Sequence, residues 1–279
     1  MLVTLNEVLK KAQQGKYAVG LFNTINAEML DAAIEAAEEQ KSPIIIGTAE
    51  VLLSYGELEL IAPSVISKAK KASVPVVVHF DHGLSYDRAL QAIKLGFSSI
   101  MYDCSAKKDS DNILSTYEMS KIAHSFGISI EAEIGHIGGS EGAATAEADT
   151  QYTSVEEAVR FAKLTKVDAL AVAVGTAHGV YKVKPKLNFN RIAEIRSVLD
   201  TPLVLHGGSG LSDEDFRKTI ENGIAKVNIF TDLTLAGVRA MKDGLAKDKG
   251  YLDIRNMQKE YIKAEIIKKM SLFGSIGKA

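Results

Sequence analysis

The sequence predicts an α/β fold, a (β/α)8 TIM barrel with a short helix before the barrel and a long helix after it. Three observations predict it. Eight short apolar, β-branched runs recur along the 279 residues. Stretches with helical apolar spacing separate them. The Gly-rich turn that an open, doubly wound dinucleotide-binding sheet carries after its first strand is absent. Strands alternating with helices imply a parallel sheet, and eight such units imply closure. The length suits one barrel of about 250 residues or more, so residues 1–279 read as a single domain.

The strands are expected near 18–22, 43–47, 74–80, 98–102, 128–131, 168–174, 202–205 and 225–230. Ala27, Leu30, Ile34 and Ala37 mark one intervening helix, and Tyr86, Ala89, Leu90 and Ile93 another. Residues 4–14 read as the short leading helix, with Thr4 as its N-cap. Residues 253–273 read as the long final helix, with Ile254, Met257, Tyr261, Ile262, Ile266 and Met270 apolar and Gly274 ending it. Residues 135–150 are rich in Gly, Ala, Ser and acids and offer little to pack, so they read as a mobile loop over the barrel mouth.

Composition narrows the function. Hydrophobic residues make up 46% and charged residues 24%, with 33 basic and 35 acidic side chains and a net charge of −2. No basic stripe or like-charged block argues for nucleic acid or an anionic membrane. No apolar run is long enough to span a bilayer, and the start of the chain does not read as a signal peptide. Cys104 is the only cysteine, which suits a reducing compartment. The expectation is a cytoplasmic enzyme acting on a small molecule.

In such barrels chemistry sits at the C-terminal strand ends, over a packed apolar interior. Nearly every predicted strand ends in a polar group: Asn23, Asp81-His82, Asp103, Glu133, His178-Gly179, the run from His206 to Gly210, and Asn228 to Thr231. One strand-end histidine is ordinarily a hydrogen-bonded rim residue. His82, His178 and His206 on one rim instead match three neutral imidazoles around a divalent ion with an open position, as in a catalytic zinc site. Of the other histidines, His79 reads as packed core and His124 as surface, while His136 falls in the loop without an assigned role.

Asp81 adjoins His82, and its carboxylate reads as a proton-transfer group or as a partner that orients a ligand. Asp103 and Glu133 read as ligands of a first or second ion or as orienters. The sequence His206-Gly207-Gly208-Ser209-Gly210 after strand seven and Asn228-Ile229-Phe230-Thr231 after strand eight fall where these barrels bind phosphate. Backbone N–H groups and a helix N-terminus favour an anion there, with Ser209, Thr231 and Lys182 as added donors. Metal electrophile, carboxylate and phosphate anchor together fit cleavage or enolisation of a phosphorylated carbonyl compound.

The chain resembles, nearly end to end, the class II (metal-dependent) ketose-bisphosphate aldolases. The resemblance lies in Tyr17 to Asn23 (YAVGLFN), Asp81-His82-Gly83, Met101 to Ser105 (MYDCS), Glu131 to Gly135 (EAEIG), Gly138-Gly139, Gly175 to Tyr181 (GTAHGVY), Leu203 to Gly210 (LVLHGGSG), Lys226-Val227-Asn228, and the tail from Leu272 to Ala279. It implies zinc held by His82, His178 and His206, with other divalent ions able to use the same ligands, and a monovalent cation near the phosphate. It implies that Asp81 moves the proton of the C4 hydroxyl and that Glu141 exchanges the proton on the dihydroxyacetone phosphate carbon. Gly179, Gly207, Gly208, Ser209, Asn228 and Thr231 match positions that bind dihydroxyacetone phosphate, supported by Lys182. Asp103 and Glu133 match acids near the metal. Arg255 matches an arginine that reaches the distal phosphate, often across a subunit contact, which implies a homodimer or homotetramer.

Three departures stand out. The family commonly has Asp-Pro-Arg where this chain has Asp253-Ile254-Arg255, an acid where Gly142 follows Glu141, and Met-Ile-Asp-Ala-Ser where it reads Met101 to Ser105. They leave the metal and proximal phosphate positions intact and bear on the distal end, where the backbone placing Arg255 is expected to differ and which decides the aldehyde. The expected reaction is reversible cleavage of fructose 1,6-bisphosphate to dihydroxyacetone phosphate and glyceraldehyde 3-phosphate. Tagatose 1,6-bisphosphate, differing only at C4, or another phosphorylated ketose are the alternatives. A Schiff-base aldolase would need a lysine inside the barrel, and Lys226 is expected to begin strand eight rather than end it. A non-catalytic sugar-phosphate sensor would bind without turnover.

Overall fold

The computed structural model describes residues 1–135, 152–179, 181 and 185–279. Eight parallel strands close a barrel in chain order: β1 (Val19–Asn23), β2 (Ile44–Ala49), β3 (Val76–Gly83), β4 (Ser99–Tyr102), β5 (Ser129–Ile134), β6 (Ala169–Val172), β7 (Leu203–Leu205) and β8 (Ile224–Ile229). Pairing of Leu21 with Asn228 joins β1 to β8 and completes the ring. The helices are α1 (Leu5–Gly15), α2 (Ala27–Glu39), α3 (Leu58–Lys71), α4 (Tyr86–Leu95), α5 (Asp109–Ser125), α6 (Val155–Thr165), α7 (Phe189–Val198), α8 (Asp213–Glu221), α9 (Thr231–Ala246) and α10 (Tyr251–Phe273).

The strands are buried on both faces, which is why they read as continuous apolar runs such as Ile44-Ile45-Ile46 and Val76-Val77-Val78. Alternate residues divide between two cores. Ile44, Ile46, Val76, Val78, Phe22 and Ile100 join the layer beneath the helices. Val19, Leu21, Ile45, Val77, Ala169, Ala171 and Val204 fill the barrel floor. Helix α1 plugs that floor with Leu5, Val8, Leu9 and Ala12, one face of a helix at spacings of three and four. Its start is set as expected: Thr4 and Glu7 form a reciprocal capping box. Helix α10 packs Ile262, Ile266, Met270 and Phe273 into the outer layer.

Most boundaries differ from the sequence expectation by a few residues, and three of the differences have a clear local reason. Strand β3 continues through Asp81 and His82 to Gly83 because it stays paired with β4 across an irregularity between Phe80 and Gly83. Strand β6 stops at Val172 because Ala173 N donates to Thr153 Oγ1 at 3.0 Å and Gly175 takes a left-handed φ of 102°. Helix α10 begins at Tyr251, with Gly250 as its extended cap. His124 lies on α5, as expected for a surface position, and its Nε2 is 2.9 Å from Asp168 Oδ2. His136, Glu141, Lys182 and nearly all of the expected loop over the mouth lie outside the described residues.

Candidate active site

The three strand-end histidines converge. The ring centroid of His82 lies 4.8 Å from that of His178 and 4.5 Å from that of His206, and the other two are 5.7 Å apart. One ring nitrogen from each falls within a 4.8 Å cluster, and all three residues are buried. Neighbours on a strand ordinarily face opposite sides. Asp81 and His82 both serve the mouth because His82 adopts φ 43°, the left-handed region that a non-glycine residue rarely occupies.

Hydrogen bonds set which nitrogens meet. A carboxylate only accepts. Asp103 Oδ2 lies 2.9 Å from His82 Nδ1, and Glu131 Oε1 lies 2.8 Å from His206 Nε2, so those nitrogens carry protons. The remaining His82 Nε2 and His206 Nδ1 face each other at 2.8 Å. Once the proton between them is lost, their two lone pairs converge as the donor set of a metal site. Asp81, Asp103, Glu131 and Glu133 surround them with Lys226 as the fixed cation, a formal excess of three negative charges that a dication would reduce. The residues therefore fit a divalent ion, and His82, His178 and His206 would hold it. His82, Asp103 and Glu133 form a second group of close ligand atoms.

The protonation pattern without an ion follows from the same field. Burial pushes the His82 imidazole down, but the carboxylates of Asp81, Asp103 and Glu133 outweigh it and raise it to about 10. Burial, reinforced by the His82 charge, lowers His178 and His206. One imidazolium thus occupies the cluster at neutral pH, and an arriving ion must displace its proton. Zinc binding at pH 7 is expected to release about one proton from the protein. Calorimetry in buffers of different ionisation enthalpy checks this, and a buffer-independent enthalpy would contradict it.

Asp81 is fully buried between two amides. Asn23 Nδ2 donates to its Oδ2 at 2.9 Å, and Asn228 Nδ2 donates to its Oδ1 at 3.0 Å. Burial would raise this carboxyl, but the charges of His82 and Lys226 hold it well below the usual carboxylate range. Its nearest resolved imidazole contact is His79 Nε2 at 3.8 Å, too long for a hydrogen bond. The geometry favours an ionised, oriented proton acceptor over a group that positions a ligand.

Beside the histidines lies a pocket lined by His178, Gly179, Gly207, Gly208, Ser209, Asn228, Phe230 and Thr231. It opens on the start of α9, whose N-terminal field favours an anion. Ser209 Oγ accepts from Phe230 N at 3.3 Å and Asp232 N at 3.4 Å, tying the β7 loop to that helix start. Tyr181 rivets the β6 and β7 loops: its hydroxyl accepts from Ala177 N and donates to Gly207 O, both at 2.8 Å. Gly207 has φ 63°, and a Cβ there would stand 2.4 Å from Ala177 O. Gly207→Ala is expected to cost about 1–2 kcal/mol in backbone strain alone and to push the two loops apart. Thermal unfolding together with phosphate-ester affinity measures the effect, and unchanged affinity would show that this turn is not part of the anion site.

The other expected site residues fall elsewhere. Ile229 is turned outward by strand alternation into the core beneath the helices, so only its backbone can serve the pocket. Asn23 reaches Asp81 and is not in the pocket lining. Arg255 sits on α10, ion-paired with Glu28 of α2, in a separate groove with Asp31, Leu252, Asn256 and Lys259. His79 is buried as expected for core, yet its Nδ1 lies 2.8 Å from Ser99 Oγ. Lys226 corrects the expectation most clearly: it is the third residue of β8, and its ammonium lies inside the barrel against Glu131. Counting back two residues from Asn228, and likewise from Glu133 and Asp81, would have found Lys226, Glu131 and His79 on the same inward face.

Comparison with known proteins places this geometry in a family. The family model for class-II fructose-bisphosphate aldolase matches residues 3–278. A fructose-bisphosphate aldolase of Geobacillus stearothermophilus is 39% identical over 100% of this chain and 99% of its own. A sulfofructosephosphate aldolase of Alkalicoccus urumqiensis is 41% identical over 98% and 96%. The crystal structure of the YdjI aldolase from Escherichia coli K12 superposes with a TM-score of 0.92 at 38% identity, covering all of both chains. A model match along nearly the whole chain, relatives of full length and a shared barrel agree: this protein belongs to the class II fructose-bisphosphate aldolase family, metal-dependent lyases.

Proposed function

We propose that the protein catalyses reversible aldol cleavage of a ketose phosphate to dihydroxyacetone phosphate and an aldehyde, with zinc as its ion and fructose 1,6-bisphosphate as its substrate. The observation that carries the reading is Asp81, an ionised carboxylate held by Asn23 and Asn228 beside the three-histidine cluster and the phosphate pocket. When bound, the ion stabilises negative charge developing on a substrate oxygen. Gly179, Gly207, Gly208, Ser209, Asn228 and Thr231 hold the phosphate of the dihydroxyacetone half, with Lys182 adding charge and a monovalent cation nearby. Asp81 accepts the C4 hydroxyl proton as the C3–C4 bond breaks and its electron pair passes into that half. A protonated Glu141 then gives its proton to the former C3, the carbon that kept the electron pair, and the proton held by Asp81 passes to solvent.

Arg255 is assigned to the distal phosphate of a neighbouring subunit's substrate. Leu235, Val238, Met241 and Leu245 form an exposed apolar stripe on α9, with Tyr251 and Leu252 beside it, which supports a homodimer or homotetramer. The lone, buried Cys104 suits the cytoplasm, and no described helix is long and apolar enough to cross a membrane. The relatives' names cover a bisphosphate and a sulfonate-bearing substrate, so the distal group is the open choice. A coupled assay of dihydroxyacetone phosphate release from fructose and tagatose 1,6-bisphosphates, run beside ketose 1-phosphates lacking a distal phosphate, decides it. The highest kcat/KM is expected for the fructose epimer. Preference for a substrate without a distal phosphate would overturn that assignment and leave the cleavage chemistry standing.

A further inference from the structure

Directly beneath the three histidines the barrel holds charge that the reaction above leaves unused. Glu131, Lys226 and His79 are each wholly buried. Lys226 Nζ lies 3.0 Å from Glu131 Oε1 and 2.8 Å from Oε2. Oε1 also meets His206 Nε2 at 2.8 Å. One carboxylate therefore spans a lysine and a histidine of the metal cluster, at a depth where packed apolar side chains would fill the space as well. A buried ion pair is weak evidence for stability, so its direction matters more than its presence.

That direction is specific. Because the carboxylate only accepts, it keeps the proton on His206 Nε2 and leaves Nδ1 toward His82 Nε2 at 2.8 Å and Asn228 Nδ2 at 3.4 Å. A competitor stands close by. His79 Nε2 is 3.9 Å from Glu131 Oε2 and has no hydrogen-bond partner. Without Lys226 the carboxylate could swing to His79 and release His206. Lys226 holds both oxygens and blocks that rotation.

We infer that Glu131, anchored by Lys226, is the positioning residue that fixes which nitrogen of His206 is offered to the metal. The inference rests on the three-histidine metal reading. In Glu131→Gln the volume is kept, but the amide can donate to Nε2 and turn the imidazole to the wrong tautomer. The zinc dissociation constant, measured by competition with a chromophoric chelator, is expected to rise ten- to a hundredfold. The visible absorption of the cobalt form is expected to change with it. The double variant Glu131→Gln/Lys226→Met removes both buried charges, so it is expected to melt near the parent temperature while still binding zinc weakly. It carries the test if the single variant does not fold. Weak zinc binding by the parent protein would remove the metal reading itself, and this inference with it. Tight binding by the parent, matched within twofold by the folded variants with an unchanged cobalt spectrum, would overturn the positioning role alone.

Discussion

Asp81→Ala is expected to keep its zinc and to cleave substrate at least about 100-fold more slowly, the usual worth of a positioned proton-transfer group. The three histidines and their orienting carboxylates Asp103 and Glu131 are untouched by the change. What goes is the carboxylate that two amides hold ionised at the mouth. Asn23 and Asn228 lose their acceptor, a penalty of about 1–3 kcal/mol for buried donors left unpaired, so a lower melting temperature accompanies the lost rate. Stoichiometric zinc with a collapsed kcat is the signature. Zinc loss in parallel with activity would make Asp81 part of the metal site, and a kcat within threefold of the parent would remove it from the proton transfer.

The second large effect is expected at His206. His206→Ala deletes one of three converging nitrogens and leaves the buried Glu131 and Lys226 to pair without it. Zinc affinity is expected to fall by more than about 100-fold, beyond the loss from disturbing an outer partner, and cleavage to vanish at ordinary zinc concentrations. The fold should survive, because the inner floor and the outer layer close without this side chain. Metal analysis after dialysis with circular dichroism separates the two properties. A folded variant that still holds one tightly bound zinc would place the ion elsewhere, the group of His82, Asp103 and Glu133 being the nearest alternative.

Much of the barrel is legible in the sequence because its signal is local. Parallel strands buried on both faces must be runs of Val, Ile and Ala, and β2 and β3 show it plainly. The metal cluster is legible for a topological reason: parallel strands put all their C-terminal ends on one rim, so strand-end histidines meet without any knowledge of distance. Two things were hidden. The left-handed turn at His82 places two adjacent residues in one site, and nothing in Asp-His-Gly states a backbone angle. The charge beneath the site was hidden by its depth. Lys226 looks like the start of a strand, and only the inward alternation of β8, read back from Asn228, sets its ammonium on Glu131. Arg255 was not to be placed from one chain: it pairs with Glu28 on the outside, away from this chain's own histidines, and the role expected of it lies in a neighbouring subunit's site.

The most direct test of the central claim is cleavage of fructose 1,6-bisphosphate by protein as prepared, stripped by chelator and reloaded with zinc, with dihydroxyacetone phosphate measured throughout. Activity that disappears on stripping and returns with about one zinc per chain is the predicted result. Full activity after complete metal removal would contradict a three-histidine metal centre as the source of the chemistry.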